Sequence, residues 1–233
     1  MLAASTETKN TPPRPWSRRR ALIGLTSCGL SAIAGCGGGS DPGPVNSIQQ
    51  CNVTGIPGAV ASINLSAFYQ RAAQLQALDL WCWAACISMI FAYRGHPVQQ
   101  ARIVSTAYGG VVDLPAIGIT IASALNRTWI DDNGKPFRST ITGLYDAQAG
   151  ILALTNDMIV NSLQSGTPLL IAGNAHARVL VEVDYQPTPF GASIAGAAVF
   201  DPATATTECL SPAEMVPVAL GGSLEFMASE VIG

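Results

Sequence analysis

The spacing of apolar residues changes near the middle of the chain. In the first half they recur at helical spacing, which predicts helices over 66–78, 82–94, 97–108 and 114–125. The second half has one more predicted helix and then short apolar or alternating runs, which predict strands over 168–173, 177–185 and 196–201; SLEFMASEVI near the C-terminus is compatible with another. Asp132-Asn133-Gly134-Lys135 predicts a hairpin turn, and 155–164 is the late helix. Helices followed by strands predict an α+β domain with two layers.

The predicted helix 82–94 carries apolar side chains on every face, and its only charge is Arg94. A helix that is apolar all round is buried in a protein core. Gly95 and Pro97 end it in the usual way. It opens with Cys82, so this cysteine is either a packing residue or a nucleophile.

The N-terminal segment differs from the rest and predicts an export signal over 1–35. A basic stretch precedes a short apolar run, and 17–22 (SRRRAL) resembles a twin-arginine signal. The run ends in IAGC, which resembles a lipobox and predicts lipidation of Cys36; the alternative is a plain signal peptide with an incidental cysteine. Gly37 follows, which favours the outer membrane where there is one. Residues 36–50 are rich in Gly and Pro and predict a flexible tether before a domain over 51–233.

Composition narrows the function classes. Only 12% of the residues are charged and 48% are hydrophobic, which excludes a disordered charged chain. From Cys36 onward the sequence has seven basic and 14 acidic residues without a basic cluster, which argues against nucleic-acid binding. No run of eighteen apolar residues occurs, so no ordinary membrane-spanning helix is expected.

Four cysteines remain after the signal segment and Cys36, and an exported domain can form disulfides. Four thiols allow three full pairings, and the sequence leaves the choice open. Cys82 and Cys86 lie one turn apart on the same helix and are poor partners. We favour a disulfide between Cys51 and Cys209, with Cys86 as a buried free thiol.

The candidate chemistry centres on Cys82. A thiol nucleophile needs a base, and the base needs a partner that fixes its tautomer. His176 opens a predicted strand and Asp201 closes the next one, so both can face a cleft; Gln76, six residues before Cys82, can donate to an oxyanion. His96 lies about 20 Å from Cys82 along a straight helix, too far to be its base.

These residues resemble a known family. Gln76, five residues, Cys82-Trp83 on a helix and a later His-Ala-x-Val-Leu-Val strand are similar to papain-like cysteine peptidases. The forms CWAAC and VFDP resemble the compact bacterial branch, which includes double-glycine leader peptidases and secreted effector proteases. The resemblance implies an α+β papain-like fold, with Cys82 as nucleophile, His176 as general base and acid, Asp201 orienting His176 and Gln76 as oxyanion donor. It also implies peptide-bond hydrolysis without a cofactor.

Each assignment has a competing interpretation. Cys82 alone could be a core residue, His176 a structural strand residue, Asp201 a turn acid and Gln76 a solvated side chain. Zinc binding by Cys82, Cys86 and His176 would need a fourth ligand. Cell-wall peptide amidase or acyltransferase activity could use the same triad, and a non-enzymatic surface lipoprotein could keep the fold. The expected substrate is a polypeptide or cell-envelope peptide near a membrane, and its identity is not readable from loops 109–118 and 185–196.

Overall fold

The computed structural model describes residues 51–52, 54–55 and 57–233. The predicted signal segment 1–35, the lipidation site Cys36 and the tether 36–50 lie outside the described residues. The elements in chain order are β1 Ala59–Ser62, α1 Leu65–Arg71, α2 Cys82–Tyr93, α3 Gln100–Tyr108, α4 Gly118–Leu125, β2 Arg127–Ile130, β3 Pro136–Asp146, β4 Ile151–Ala153, α5 Asn156–Gln164, β5 Leu169–Gly173, β6 His176–Thr188, β7 Gly191–Asp201, β8 Thr206–Cys209 and β9 Leu224–Ile232.

The strands form one nine-stranded sheet whose main order is β2-β3-β9-β5-β6-β7-β8. β1 also pairs with β6, and β4 pairs with β3. All of these named pairs are antiparallel. The predicted α+β class is therefore confirmed: within the described residues, five α-helices accompany a mostly antiparallel sheet.

Helix α2 is the core helix of the domain. Trp83, Ile87 and Phe91 are each at most 1% exposed, as expected for a helix without a polar face. Helix α1 packs beside it through Phe68, whose ring lies 5.6 Å from Tyr93 and 5.3 Å from Phe200 of β7, measured between centroids. These contacts fix α2 against the sheet, and α2 carries Cys82 at its first position.

Three predicted helices are shorter at one end than the apolar spacing suggested. Helix α1 ends at Arg71 instead of continuing to 78, because the following segment bonds elsewhere: the N–H of Gln76 donates to the carbonyl of Pro202, at 2.8 Å. Helix α3 starts at Gln100 rather than at 97. Helix α4 starts at Gly118 rather than at 114, consistent with Pro115, which disfavours helical geometry in the residue before it.

A disulfide joins Cys51 to Cys209 and closes a loop across a sequence separation of 158. This is the favoured pairing. Cys86 is a buried free thiol and Cys82 a partly exposed one. The disulfide ties the first described residue to β8, which is an edge strand of the sheet. No helix in the described ranges is both long and apolar enough to cross a membrane.

Candidate active site

The start of α2 is held rigidly against the loop that precedes α4. The indole nitrogen of Trp81 donates to the carbonyl of Val112 at 2.8 Å, and that of Trp83 donates to Leu114 at 3.2 Å. The backbone N–H of Leu80 donates to the carboxylate of Asp113 at 2.9 Å. The two tryptophans that flank Cys82 therefore position the thiol rather than contribute chemistry.

A two-residue turn between β5 and β6 positions His176, the first residue of β6. Asn174 and Ala175 have φ values of 53° and 58°, the left-handed conformation that a tight hairpin requires at both positions. Asn tolerates this conformation and Ala does so less readily, so the turn stores some strain. Gly173 pairs with His176 across the turn, and a side chain at Gly173 would collide with the carbonyl oxygen of Ser223. Close backbone packing thus sets where the His176 ring lies.

Asp201, at the end of β7, holds the His176 ring. The Nε2 atom of His176 lies 2.8 Å from Oδ1 of Asp201, and the same oxygen accepts the backbone N–H of Ala203 at 2.7 Å. With Nε2–H donating to Asp201, Nδ1 is the ring nitrogen left for Cys82; Cys82 and His176 line the same cleft, and each shifts the pKa of the other. The structure therefore brings Cys82, His176 and Asp201 together in that order.

The surroundings of Cys82 favour the thiolate. Burial is the largest single influence and would raise the pKa of the thiol. The hydrogen bond with His176, the N–H groups of Ala177 and Trp83, and the positive charge of His176 act against burial and together outweigh it, so the pKa of Cys82 is lowered.

The pKa of His176 moves in the opposite direction. Its hydrogen bond with Cys82 has the largest effect and raises the pKa; burial lowers it, and the hydrogen bond and charge of Asp201 raise it, with a net increase. A lowered thiol pKa beside a raised imidazole pKa favours a thiolate–imidazolium pair. A cysteine that served only as a packing residue would not need the imidazole of His176 beside its thiol.

Gln76 lies in the loop that precedes α2, and its side-chain amide is occupied. The Nε2 group donates to the carbonyl oxygens of Leu78 at 3.0 Å and Asp79 at 2.7 Å, so both of its hydrogens are used within its own loop. The buried Oε1 has no hydrogen-bond partner among the described residues. The role of oxyanion donor stays a prediction, and it requires the Gln76 amide to rotate.

The sequence comparison decides the family. Residues 66–214 match the family described as papain-like cysteine protease AvrRpt2, and this span is more than half of the chain. The chain belongs to this family of papain-like cysteine peptidases. No curated protein sequence matches the chain.

Two solved structures are similar to this peptidase. UfSP from C. elegans is 17% identical with a TM-score of 0.42, and the match covers 76% of this chain and 35% of the other, so the peptidase spans about a third of that protein. A double glycine motif protease from an AMS/PCAT transporter, in complex with the leader peptide, is 17% identical with a TM-score of 0.38; the match covers 78% of this chain and 98% of the other.

Cys82 and His176 of the peptidase open onto a cleft of about 570 Å³. One side is the segment 115–118 before and at the start of α4, and another is formed by Gly173, Ala175 and Val218. A second cavity of about 370 Å³ is lined largely by apolar side chains and by none of the predicted site residues. The predicted catalytic residues Cys82 and His176 therefore line the larger of these two cavities.

The remaining candidate side chains lie outside this arrangement. Burial is the main reason that the pKa of Cys86 is raised well above that of an ordinary thiol, so Cys86 is a poor nucleophile. His96 pairs with Asp131 at 3.1 Å and is separate from Cys82, as the sequence spacing predicted. Among the residues that the structure describes, no group of three or more His, Cys, Asp or Glu side chains could hold a metal ion.

Some site features had no usable signal in the sequence. The backbone N–H of Ala177 helps to lower the pKa of the Cys82 thiol. Almost every residue type carries a backbone N–H, so the sequence does not reveal which one acts in this way. Asp146 also lines the cleft, 64 positions after Cys82, and ends a strand that the sequence predicted only as part of a hairpin.

Proposed function

We propose that this cysteine peptidase cleaves peptide bonds through a triad of Cys82, His176 and Asp201. The observation that supports the triad most directly is the 2.8 Å hydrogen bond that orients His176 on Asp201, with Cys82 and His176 lining the same cleft. Opposite pKa shifts of Cys82 and His176 fit a nucleophile paired with its general acid.

In the proposed acylation step the Cys82 thiolate attacks the carbonyl carbon of the scissile peptide bond. The carbonyl oxygen takes the negative charge of the tetrahedral intermediate. His176 then gives its Nδ1 proton to the leaving nitrogen, the C–N bond breaks, and a thioester joins the acyl part of the substrate to Cys82. Asp201 acts through His176, since it contacts the ring and not the substrate.

In the proposed deacylation step neutral His176 takes a proton from water, and the hydroxide attacks the thioester carbon. The carbon–sulfur bond breaks, the carboxylic acid product leaves, and the proton returns the site to its thiolate–imidazolium form. Water thus supplies both the hydroxyl of the acid and the proton that replaces the one donated to the amine, and no cofactor is needed for the balance.

Two groups are the proposed donors to the oxyanion. The N–H of Cys82 belongs to the first turn of α2, where backbone donors have no acceptor within the helix. The Gln76 amide lies in the loop that leads to Cys82, and substrate binding would have to release it from the carbonyls of Leu78 and Asp79. Preorganised donors of this kind strengthen as negative charge develops on the oxygen.

The proposed setting of the peptidase is the cell envelope, with a lipid on Cys36 as the anchor. The support is the IAGC sequence at the end of an apolar run and the disulfide Cys51–Cys209, since stable disulfides are typical of exported proteins. The tether 36–50 would separate the lipid from the catalytic domain. Polypeptides near a membrane surface are then the accessible substrates.

Membrane partition tests the anchor separately from the enzymology. The full-length chain is produced in a bacterium with a lipoprotein pathway, beside Cys36→Ala. We expect the wild-type protein in the membrane fraction and Cys36→Ala released or unprocessed. A wild-type protein that is soluble after processing, and unchanged by Cys36→Ala, would contradict the lipid anchor and leave the triad unaffected.

A cleavage screen tests the triad. The purified full-length protein is incubated with a denatured proteome, and new N-termini are compared with those produced by Cys82→Ala. We expect new termini with the wild type alone, and the same termini with Cys86→Ser. Products that persist with Cys82→Ala would overturn the assignment of Cys82 as the nucleophile.

A further inference from the structure

A row of cross-strand neighbours crosses the floor of the cleft. Ala177 pairs with Ala172, Ala172 pairs with Phe226, and Phe226 pairs with Asp146, so the four residues share one face of the sheet. All four line the cleft. The N–H of Ala177, at one end of the row, is one of the groups that lower the pKa of the Cys82 thiol, so this end of the row lies beside the nucleophile. Adjacent strands are about 4.8 Å apart, which places Asp146 about 14 Å from that end.

The Asp146 carboxylate is buried but only half satisfied. The residue is 3% exposed, and its Oδ1 atom accepts the backbone N–H of Ala149 at 3.0 Å. Oδ2 has no hydrogen-bond partner among the described residues, and it is not one of their fully enclosed unpaired atoms, so it reaches the solvent of the cleft. It occupies the place that a Cβ at Gly118, the first residue of α4, would fill. Glycine at position 118 therefore allows the Asp146 carboxylate to lie at the cleft wall.

Apart from Cys82 and His176, the ionisable side chains that line the cleft are all acidic. Asp146 and Glu225 are its carboxylates, and among the described residues that line it there is no Lys or Arg. The N-terminus of α4 gives the Asp146 carboxylate only a partial positive charge, and a cation that enters the cleft would supply a full counter-charge. Phe226 lies between the row's alanines and Asp146 and offers an apolar surface for a methylene chain.

We propose that Asp146 determines specificity by binding a Lys or Arg side chain of the polypeptide substrate. The inference rests on the proposed function, because it places the substrate across Cys82. An extended peptide advances about 3.3 Å per residue, so the basic residue lies within about four positions of the scissile bond. The alkyl stem packs on Phe226, and the charged head pairs with Oδ2 of Asp146.

Cleavage-site profiling tests the inference with the full-length protein. A proteome-derived peptide library is cleaved by the wild type, Asp146→Asn and Asp132→Asn, and residue frequencies are counted over four positions on each side of the cleaved bond. We expect Lys and Arg to be enriched at one position by the wild type and by Asp132→Asn, because Asp132 is exposed and does not line the cleft. Asp146→Asn, which keeps the oxygen that accepts Ala149, should lose the enrichment.

A matched pair of synthetic peptides gives the magnitude. The peptides carry either arginine or its neutral isostere citrulline at the enriched position. A charged hydrogen bond is typically worth a factor of roughly 10 to 100, so we expect kcat/KM to favour arginine by that factor in the wild type and by less than about threefold in Asp146→Asn. A wild-type ratio near one would overturn the inference without reference to any variant.

Iodoacetamide separates this inference from the proposed function. The reagent has no peptide part, so its rate of reaction at Cys82 reports the thiolate alone and normalises each variant. An unreactive Cys82 would count against the triad. A reactive Cys82 with cleavage but without basic enrichment, or with enrichment that persists in Asp146→Asn, would count against Asp146 only.

Discussion

Two histidine–aspartate pairs occupy different regions of this molecule. His176 pairs with Asp201 at 2.8 Å at the edge of the cleft, and His96 pairs with Asp131 at 3.1 Å just beyond the C-terminal end of α2. The His176 ring uses Nε2 for its aspartate, and the His96 ring uses Nδ1. The His96 ring also stacks on Phe137, with centroids 4.5 Å apart.

The two pairs differ in what surrounds the oriented imidazole, and this difference is the reason that only His176 is proposed to be catalytic. Asp131 accepts the N–H groups of Asn133 and Lys135, so its carboxylate closes a turn as well as holding a ring. Burial would raise the pKa of Asp131, and these N–H groups together with His96 lower it. Asp201 instead orients a ring that lines the cleft together with Cys82. In the proposed function the thiol beside the ring, and not the histidine–aspartate pair itself, makes one pair catalytic and leaves the other structural.

The largest expected contrast comes from removing each ring. His176→Ala should lower kcat/KM for peptide cleavage by about 10⁴ or more, because it removes both the base and the counter-charge of the thiolate. His96→Ala should leave kcat/KM within about twofold and reduce the free energy of unfolding by about 1 kcal/mol, the net value of a typical hydrogen bond. Steady-state kinetics and urea unfolding of both variants measure this. Comparable losses of activity in the two would break the distinction.

Gln76, the proposed oxyanion donor, is associated with the cleft pair only. Gln76→Ala should lower kcat by roughly 10²–10³, the cost of one such donor, and leave the rate of Cys82 alkylation nearly unchanged. The variant also frees the carbonyls of Leu78 and Asp79, so its melting temperature is measured beside its kinetics. A wild-type kcat in Gln76→Ala would show that the amide stays in its loop during turnover.

The partner aspartates should differ by less than the rings. Asp201→Ala should slow cleavage by about 10²-fold while the pKa of Cys82 changes little, because Asp201 orients His176 and does not touch the thiol. The Asp131→Asn variant is the control, with cleavage expected to match the wild type. If Asp201→Ala shifted the Cys82 pKa as far as His176→Ala does, an orienting role for Asp201 would be excluded.

A carboxyl group without a partner provides the reference for both aspartates. Glu230 is 1% exposed, neither oxygen has a hydrogen-bond partner among the described residues, and burial raises its pKa to about 7. Its folded pKa lies above its unfolded pKa, so its stabilising effect is full below the unfolded value and is lost as pH rises through about 7.

Glu230→Gln should therefore flatten the fall in stability between pH 5 and pH 8. A shift of this size corresponds to roughly 3 kcal/mol in the free energy of unfolding, and the buried amide of the variant offsets part of the gain. Urea unfolding across this pH range, with the exposed Glu225→Gln as control, measures the effect. An unchanged pH dependence in Glu230→Gln would show that Glu230 ionises as easily in the folded chain as in the unfolded one.

Sequence reasoning succeeded where a single physical constraint dominates. Helix α2 was recognised because it is apolar on all sides, and it spans Cys82–Tyr93 against a prediction of 82–94. His176 and Asp201 were placed at strand ends, where the structure has them. The spacing between Cys82 and His96 excluded the wrong histidine because helix geometry fixes distance along one element.

The features that the sequence analysis did not predict depend on contacts between segments that are far apart in the sequence. Nothing local in 72–78 shows that the chain there leaves the helix to bond with Pro202. The occupied amide of Gln76 depends on carbonyls whose direction is set by that same turn. Asp146 reaches the cleft only because β3 pairs with β9, a pairing between segments about 80 positions apart. The periodicity of a segment predicts that it forms a strand, but it does not show which distant strand it pairs with.

The measurement that tests the central claim most directly is the pH dependence of iodoacetamide alkylation at Cys82, followed by peptide mass spectrometry so that Cys86 is counted separately. The wild type and His96→Ala should show the same midpoint, well below the value of about 8.5 for an ordinary thiol. In His176→Ala the midpoint should rise, since burial remains while the hydrogen bond and charge of the ring are gone. A wild-type midpoint near 8.5 that His176→Ala leaves unchanged would contradict the account and would indicate that Cys82 is a packing residue, not a nucleophile.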